Sequence, residues 1–111
     1  MTKTVLMTGC SSGIGYNAAH GMAARGWRVF ATCRSELDCA RLRGEGLESF
    51  QLDYQDEESL RAALDETLSR TGGTLDALYN NGAYAIPGAV EDLPRDALRE
   101  IYEANVFGYH D

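Results

Sequence analysis

The segment Thr8–Gly15, T-G-C-S-S-G-I-G, limits the possible folds of this chain more than any other feature. It follows a short apolar run and precedes apolar residues at helical spacing, which indicates a tight turn from a buried strand into a helix. Gly9, Gly13 and Gly15 allow that turn and let a ligand approach the backbone without meeting a Cβ atom. A helix that begins at about Ser12 or Gly13 directs its free N–H groups and positive dipole end into the same space. The segment therefore predicts a phosphate-binding site.

The glycine spacing, G-x-x-x-G-x-G, differs from the common G-x-G-x-x-G and from the G-x-x-x-x-G-K-[ST] of nucleotide triphosphatases. No lysine follows to reach β and γ phosphates, so we do not expect ATP or GTP hydrolysis. A glycine-rich turn that binds no ligand is the alternative that the spacing leaves open.

Composition and charge exclude several classes of protein. The 111 residues suit one small domain, and 44% of them are hydrophobic. The net charge of −7 disfavours nucleic acid and anionic membrane surfaces as partners. No apolar run is long enough for a membrane span or a signal peptide, so we expect a cytoplasmic protein. Cys10, Cys33 and Cys39 form no C-x-x-C pair and are expected to be reduced thiols. They are not expected to bind a metal, even with His20.

Strand-like and helix-like segments alternate, which predicts an α/β fold with a parallel sheet and helices on both faces. Predicted strands cover about 5–7, 27–32, 49–52 and 75–79, and the last predicted helix covers 94–108 with Pro94 at its first position. Asp56 is expected to cap the helix that begins directly after it, with Glu57 and Glu58 in the first turn. Right-handed crossovers give the strand order 3-2-1-4, a Rossmann-type sheet that lacks its second half.

The third predicted strand alternates apolar Phe50 and Leu52 with polar Ser49 and Gln51. This pattern is typical of a strand that is covered on one face only. We therefore expect a strand at the edge of the sheet.

The residue after the second strand selects between dinucleotides in such folds. An acid accepts from the ribose 2′-hydroxyl of NAD, whereas an arginine accommodates the 2′-phosphate of NADP. Here Arg34 follows Cys33, and no acid occurs before Glu36. The hypothesis is that NADP is preferred to NAD, and the alternative is a solvated surface arginine. The missing acid also disfavours a methyltransferase of similar topology.

These features together resemble the amino-terminal half of the short-chain dehydrogenase/reductase family over nearly all of residues 1–111. The T-G-x-x-x-G-I-G loop, Arg34, Asp53, the Asn80-Asn81 pair and Asn105 occur in the family's order. The resemblance implies that a dinucleotide lies over the turn. The implied cofactor-binding residues are Gly9, Ser11, Ser12, Gly13, Ile14, Gly15, Arg34, Asp53, Asn81 and Gly82.

Two of the matching positions have alternative interpretations, and one segment departs from the family's pattern. Asp53 resembles the family's acid beside the adenine, but Asp also favours turns. Asn80-Asn81-Gly82-Ala83 resembles the family's N-N-A-G with its last two residues exchanged, so we expect positive φ at Gly82. Asn105 matches the family's helix asparagine, which supports catalysis by proton relay. Without the resemblance it is a buried structural amide, and either role needs a polar partner.

The rest of the family's catalytic set is missing, because none of the six tyrosines begins Y-x-x-x-K. The resemblance implies the cofactor-binding half of an NADP-dependent oxidoreductase that interconverts carbonyls and alcohols by hydride transfer. A small lipophilic alcohol or carbonyl substrate and a homo-oligomer are expected, without nucleic acid or membrane partners. The alternative is a non-catalytic fragment that binds a dinucleotide or a partner chain.

Overall fold

The computed structural model of the chain describes residues 2–111 as four parallel strands with helices between them. The strands are Thr4–Met7 (β1), Arg28–Cys33 (β2), Glu48–Gln51 (β3) and Ala77–Tyr79 (β4). The helices are Gly13–Ala24 (α1), Glu36–Gly44 (α2), Glu57–Thr71 (α3) and Arg95–Tyr102 (α4). A 3₁₀ turn, Val90–Asp92, precedes α4, and a π-helical turn, Glu103–Phe107, and a last helical turn, Gly108–His110, follow it.

The strand order β3-β2-β1-β4 confirms the predicted Rossmann-type sheet. β1 lies between two partners, with Val5 opposite Val29 on one side and Ala77 on the other. Because all strands are parallel, their carboxyl ends meet at one edge. The glycine turn after β1 therefore lies between the segments that follow β2 and β4.

Alternate residues of the strands supply the core on the face that α1 and α2 cover. Met7 and Ala31 are buried there with Ala19 of α1 and Leu42 of α2. Burying a side chain such as that of Leu42 contributes about 1.5–3 kcal/mol. On the opposite face Phe30 is fully buried, with its ring 6.2 Å from that of Phe50.

The third strand lies at the sheet edge as expected, but the expectation that it is covered on one face only is wrong. Ser49 is 2% exposed, whereas Phe50 is only half-buried. α2 packs on β3 and covers the face of Ser49. On the other face the Phe50 ring lies between Phe30 and the guanidinium of Arg70, 5.4 Å away. Hydrophobic alternation alone does not reveal that α2 covers the polar face of this edge strand.

The two ends of α3 confirm their sequence signals. The Asp56 carboxylate accepts hydrogen bonds from the N–H groups of Glu58 and Ser59 and so caps the first turn. Gly72, at φ +75°, ends the helix in the left-handed conformation that glycine favours.

The single helix predicted over 94–108 is wrong in its start and its continuity. Pro94 lies before the first helical residue, with ψ 161°, so α4 begins at Arg95. The π-helical turn then interrupts the α-helical geometry over Glu103–Phe107. The apolar stripe of α4 faces outward, since Leu98 and Tyr102 are 58% and 48% exposed.

Across residues 2–111, we find no helix with both the length and the apolarity that crossing a membrane requires.

Ser49 gives a test of the β3 arrangement. Its hydroxyl oxygen is buried and has no hydrogen-bond partner among the described residues. Ser49→Ala removes that unsatisfied group, so we expect the free energy of unfolding to rise by about 1 kcal/mol in chemical denaturation.

The matched control is Thr32→Val, because the buried Thr32 hydroxyl donates to the Met7 carbonyl at 2.8 Å. Losing that bond is expected to lower the free energy of unfolding by about 1 kcal/mol. A fall in both variants would contradict the assignment of Ser49 as unsatisfied.

Candidate functional site

The glycine turn needs its glycines for two different reasons. Gly9 and Gly13 have φ of +67° and +61°, in the left-handed region that disfavours other residues. Gly15 is limited by space instead, since a Cβ atom there would lie 2.1 Å from the Gly9 carbonyl oxygen. A Cβ at Gly13 would meet no atom within 4 Å, so the outer side of the turn is open.

The amino-terminal end of α1 is free to receive a ligand. Ser12 occupies the cap position, but its side chain makes no capping hydrogen bond, in contrast to Asp56 at α3. Ile14 in the first turn is 72% exposed. The first N–H groups of α1 and its positive dipole end are therefore available to an anion.

Thr8 connects this turn to the segment that follows β4. Its hydroxyl oxygen accepts hydrogen bonds from the N–H groups of Asn81 at 2.9 Å and Gly82 at 3.1 Å. The Asn81 side-chain amide in turn donates to the Gly9 carbonyl at 3.2 Å. Asn81 thus holds the turn in place through the Gly9 carbonyl.

The expectation of positive φ at Gly82 is wrong. Gly82 is not one of the glycines with a positive φ within residues 2–111. Gly82 is required for space instead, because a Cβ atom placed there would lie 2.6 Å from Tyr54 Cε2, and one placed on Gly9 would lie 2.6 Å from the Gly82 Cα. The two backbones approach too closely for side chains between them.

A cleft of about 190 Å³ opens at the carboxyl edge of the sheet beside the turn. This volume is below the roughly 300–1,000 Å³ that is typical of small-molecule pockets. Five predicted cofactor-binding residues line the cleft: Gly9, Ser11, Arg34, Asp53 and Gly82. Ser12, Gly13, Ile14, Gly15 and Asn81 belong to the turn and its support and do not line the cleft itself.

Arg34 enters the cleft wall at the end of β2 and is exposed. Its carbonyl accepts a hydrogen bond from Gln51 at 2.8 Å, which holds the backbone. No ion pair within residues 2–111 includes its guanidinium, whereas Arg28 pairs with Glu48 and Arg43 with Glu36. The charge of Arg34 is therefore available to a ligand.

Asp53 holds a turn and also lines the cleft. Its carboxylate accepts from the Gln55 N–H at 2.9 Å, and its own N–H donates to the Ser59 hydroxyl at 3.0 Å. These bonds give the turn-forming interpretation direct support, and they leave the adenine role a prediction.

Asn105 has the polar partner that its mid-helix position requires. Its side-chain oxygen accepts from the Tyr84 N–H at 3.3 Å, and its amide nitrogen donates to the Tyr84 carbonyl at 2.9 Å. Asn105 is the central residue of the π-helical turn, and such turns are frequent at functional sites. Tyr84 and Ala104, which line the cleft, bring Asn105 to its border.

The three cysteines are buried free thiols, and Cys33 lines the cleft. Burial raises the pKa of Cys10 to about 11 and that of Cys33 to about 12, so both are uncharged at neutral pH. His20 hydrogen-bonds to Glu45 at 2.7 Å and does not join them. Among residues 2–111 there is no group of three or more His, Cys, Asp or Glu residues placed to hold a metal.

The predicted site residues do not include several that line the cleft, among them one threonine and two tyrosines. Thr8, Tyr54 and Tyr84 all line the cleft. Thr8 had a usable signal, since a hydroxyl directly before the glycine turn can accept from neighbouring backbone. Tyr54 and Tyr84 carried no such signal, because their contacts depend on segments distant in sequence.

Known proteins match both the sequence and this geometry. The family model for short chain dehydrogenase matches residues 3–111. The chain belongs to the short-chain dehydrogenase family. It is 34% identical over 110 residues to the uncharacterized oxidoreductase YbbO of Escherichia coli, with 99% of this chain and 41% of that protein covered.

Two solved structures share the fold. An actinorhodin polyketide ketoreductase variant with NADPH has a TM-score of 0.86 at 28% identity, with 98% of this chain and 44% of that chain covered. A Brucella melitensis 3-ketoacyl-(acyl-carrier-protein) reductase with NADH has a TM-score of 0.85 at 28% identity, covering 97% and 46%. The chain spans less than half the length of each of these proteins.

Gly15 and Gly21 of α1 form a matched pair that tests the turn. Gly15→Ala forces a Cβ atom to within 2.1 Å of the Gly9 oxygen, so we expect it to lower the free energy of unfolding by about 1–3 kcal/mol. Gly21→Ala meets open space and is expected to raise it by up to about 1 kcal/mol through helix propensity. Equal effects in chemical denaturation would contradict the tight packing at Gly15.

Proposed function

We propose that this chain is the cofactor-binding half of an NADP-dependent oxidoreductase that interconverts carbonyls and alcohols. The observation that carries the proposal is an uncapped helix terminus beside a cleft whose wall includes the unpaired guanidinium of Arg34. Backbone N–H groups and an arginine are the donors that phosphate oxygens prefer.

The donor set fits both phosphate groups of such a cofactor. The first turn of α1 would hold the pyrophosphate through the N–H groups of Gly13, Ile14 and Gly15, with the Ser11 and Ser12 hydroxyls beside them. Arg34 would pair with the 2′-phosphate, and Asp53 and Gly82 would border the adenosine. Since the chain carries a net charge of −7, an anionic ligand needs local donors of this kind.

Arg34 supports NADP over NAD. The two solved structures carry NADPH in one case and NADH in the other, so they leave the choice open. NAD enzymes of this fold place an acid near the ribose 2′-hydroxyl. Here Glu36 is the first acid after β2, and its carboxylate pairs with Arg43.

A nicotinamide dinucleotide held by these residues would supply hydride transfer to and from a carbonyl carbon. Asn105 would support the proton relay of that reaction. Family chemistry also needs a tyrosine with a lysine four residues later, and Lys3, the only lysine, precedes all six tyrosines. We therefore propose that residues 1–111 bind the cofactor but do not turn over substrate.

The remaining proposals concern the substrate class, the oligomeric state and the location of the protein in the cell. The Cys-Ser-Ser form of the turn resembles that of family branches that act on lipophilic alcohols, and on this resemblance we include a small, lipophilic alcohol or carbonyl substrate in the proposal. Exposed Leu98, Tyr102 and Phe107 support assembly into a homo-oligomer. Three buried free thiols support a reducing, cytoplasmic location.

Arg34→Ala tests the cofactor preference. We expect it to weaken NADPH binding about tenfold or more and to leave NADH binding nearly unchanged, because only NADPH offers a 2′-phosphate. Isothermal titration calorimetry of both coenzymes gives the comparison. Arg25→Ala is the control, since Arg25 lies beside Trp27 at the far end of β2. Equal losses for NADPH and NADH would refute NADP selection by Arg34.

Turnover is the second test. We expect the chain to bind NADPH without oxidising it when small lipophilic ketones are supplied, because it has no tyrosine–lysine pair. Absorbance at the reduced nicotinamide band measures this directly. Steady NADPH oxidation would refute the binding-only proposal, and absence of NADPH binding would refute the proposed function.

A further inference from the structure

Tyr54 lies where three separate segments meet, and its ring occupies space that two glycines leave open. A Cβ atom at Gly82 would lie 2.6 Å from Tyr54 Cε2. One at Gly108 would lie 2.4 Å from Tyr54 Cβ and 2.8 Å from its Cγ. The ring also packs on Tyr109, with centroids 4.9 Å apart. Tyr54 thus fits between the segment after β4 and the last helical turn.

The hydroxyl of Tyr54 belongs to a chain of hydrogen bonds. Thr8 Oγ1 accepts from the N–H groups of Asn81 and Gly82 and is also hydrogen-bonded to the Tyr54 hydroxyl. The Tyr54 hydroxyl then donates to Asn80 Oδ1 at 3.3 Å. Burial raises the pKa of Tyr54 to about 12, which keeps this donor protonated.

We propose that Tyr54 is a positioning residue of the dinucleotide site. Its ring and hydroxyl fix the glycine turn, residues 80–82 and the helical segment that carries Asn105 relative to one another. Gly82 stands in place of an alanine because the ring leaves no room for a methyl group. The Tyr54 ring therefore explains why the order here is Gly82-Ala83 and not the family's Ala-Gly.

Because Tyr54 lines the cleft, its positioning of these segments would also affect a bound ligand. Tyr54, Asp53, Gly82 and Ala104 line one cleft, so a shift of the ring changes the wall that a dinucleotide would contact. The effect on ligand rests on the proposed function, whereas the fit between Tyr54 and Gly82 does not.

A size exchange between the two positions tests the fit. Gly82→Ala places a methyl group against the ring, and Tyr54→Leu removes the Cε2 atom that it meets. We expect each variant to weaken NADPH binding at least about fivefold, and the double variant to bind severalfold better than the sum of the single effects predicts. The midpoint of chemical denaturation is expected to show the same coupling. Additive effects on both measurements would overturn the proposal.

Tyr54→Phe separates positioning from packing, because it keeps the ring and removes only the hydroxyl. We expect NADPH binding to weaken about threefold or more and the amide hydrogens of Asn81 and Gly82 to exchange faster. Tyr16→Phe is the control, since its hydroxyl bonds to Glu45 between α1 and α2, outside the cleft. Unchanged NADPH binding and unchanged exchange in Tyr54→Phe would overturn a positioning role.

The readouts also separate this inference from the proposed function. If the unaltered chain binds neither nicotinamide coenzyme, the proposed function fails. The coupling in denaturation and the amide exchange at Asn81 and Gly82 still decide whether Tyr54 positions this segment.

Discussion

The candidate site depends on the hydrogen bonds that hold one short turn between two neighbouring strand ends. The Thr8 N–H donates to the Tyr79 carbonyl at 3.1 Å, and the Cys10 N–H donates to the Thr32 carbonyl at 3.0 Å. The Thr8 hydroxyl adds the amides of Asn81 and Gly82 on the β4 side. These contacts hold the inner side of the turn in place. On its outer side the first N–H groups of α1 have no partner within the helix, and this makes the outer side a binding surface.

Electrostatics then selects what that surface can hold. The chain is acidic overall, and most of its arginines are paired with carboxylates, as Arg28 is with Glu48 and Arg70 with Glu66. Such pairs are worth little to stability at the surface, but they cancel positive charge locally. Arg34 and the dipole of α1 remain uncompensated at one edge of the sheet. An anion is therefore favoured at this edge and disfavoured over most of the remaining surface.

The sequence predicts the topology well because local signals and crossover handedness suffice for it. The glycine turn, the Asp56 cap and the alternation of strands and helices are local, and the strand order 3-2-1-4 follows from them. The errors arise where distant segments decide. Ser49 is buried because α2 covers it, and Gly82 is close-packed because Gly9 and Tyr54 approach it. The break in the helix over 94–108 coincides with Asn105, whose amide bonds to the backbone of Tyr84.

Gly82 shows why a motif can predict a position and still give the wrong reason for its residue. A position can require glycine because its φ is positive or because there is no room for a Cβ atom. The sequence around residue 82 does not distinguish these two reasons. The deciding neighbour, Tyr54, is far away in the chain and follows β3. A change at either position is therefore a change in the fit of both, and the two residues are best understood as one packing unit that joins the glycine turn to the segment after β4.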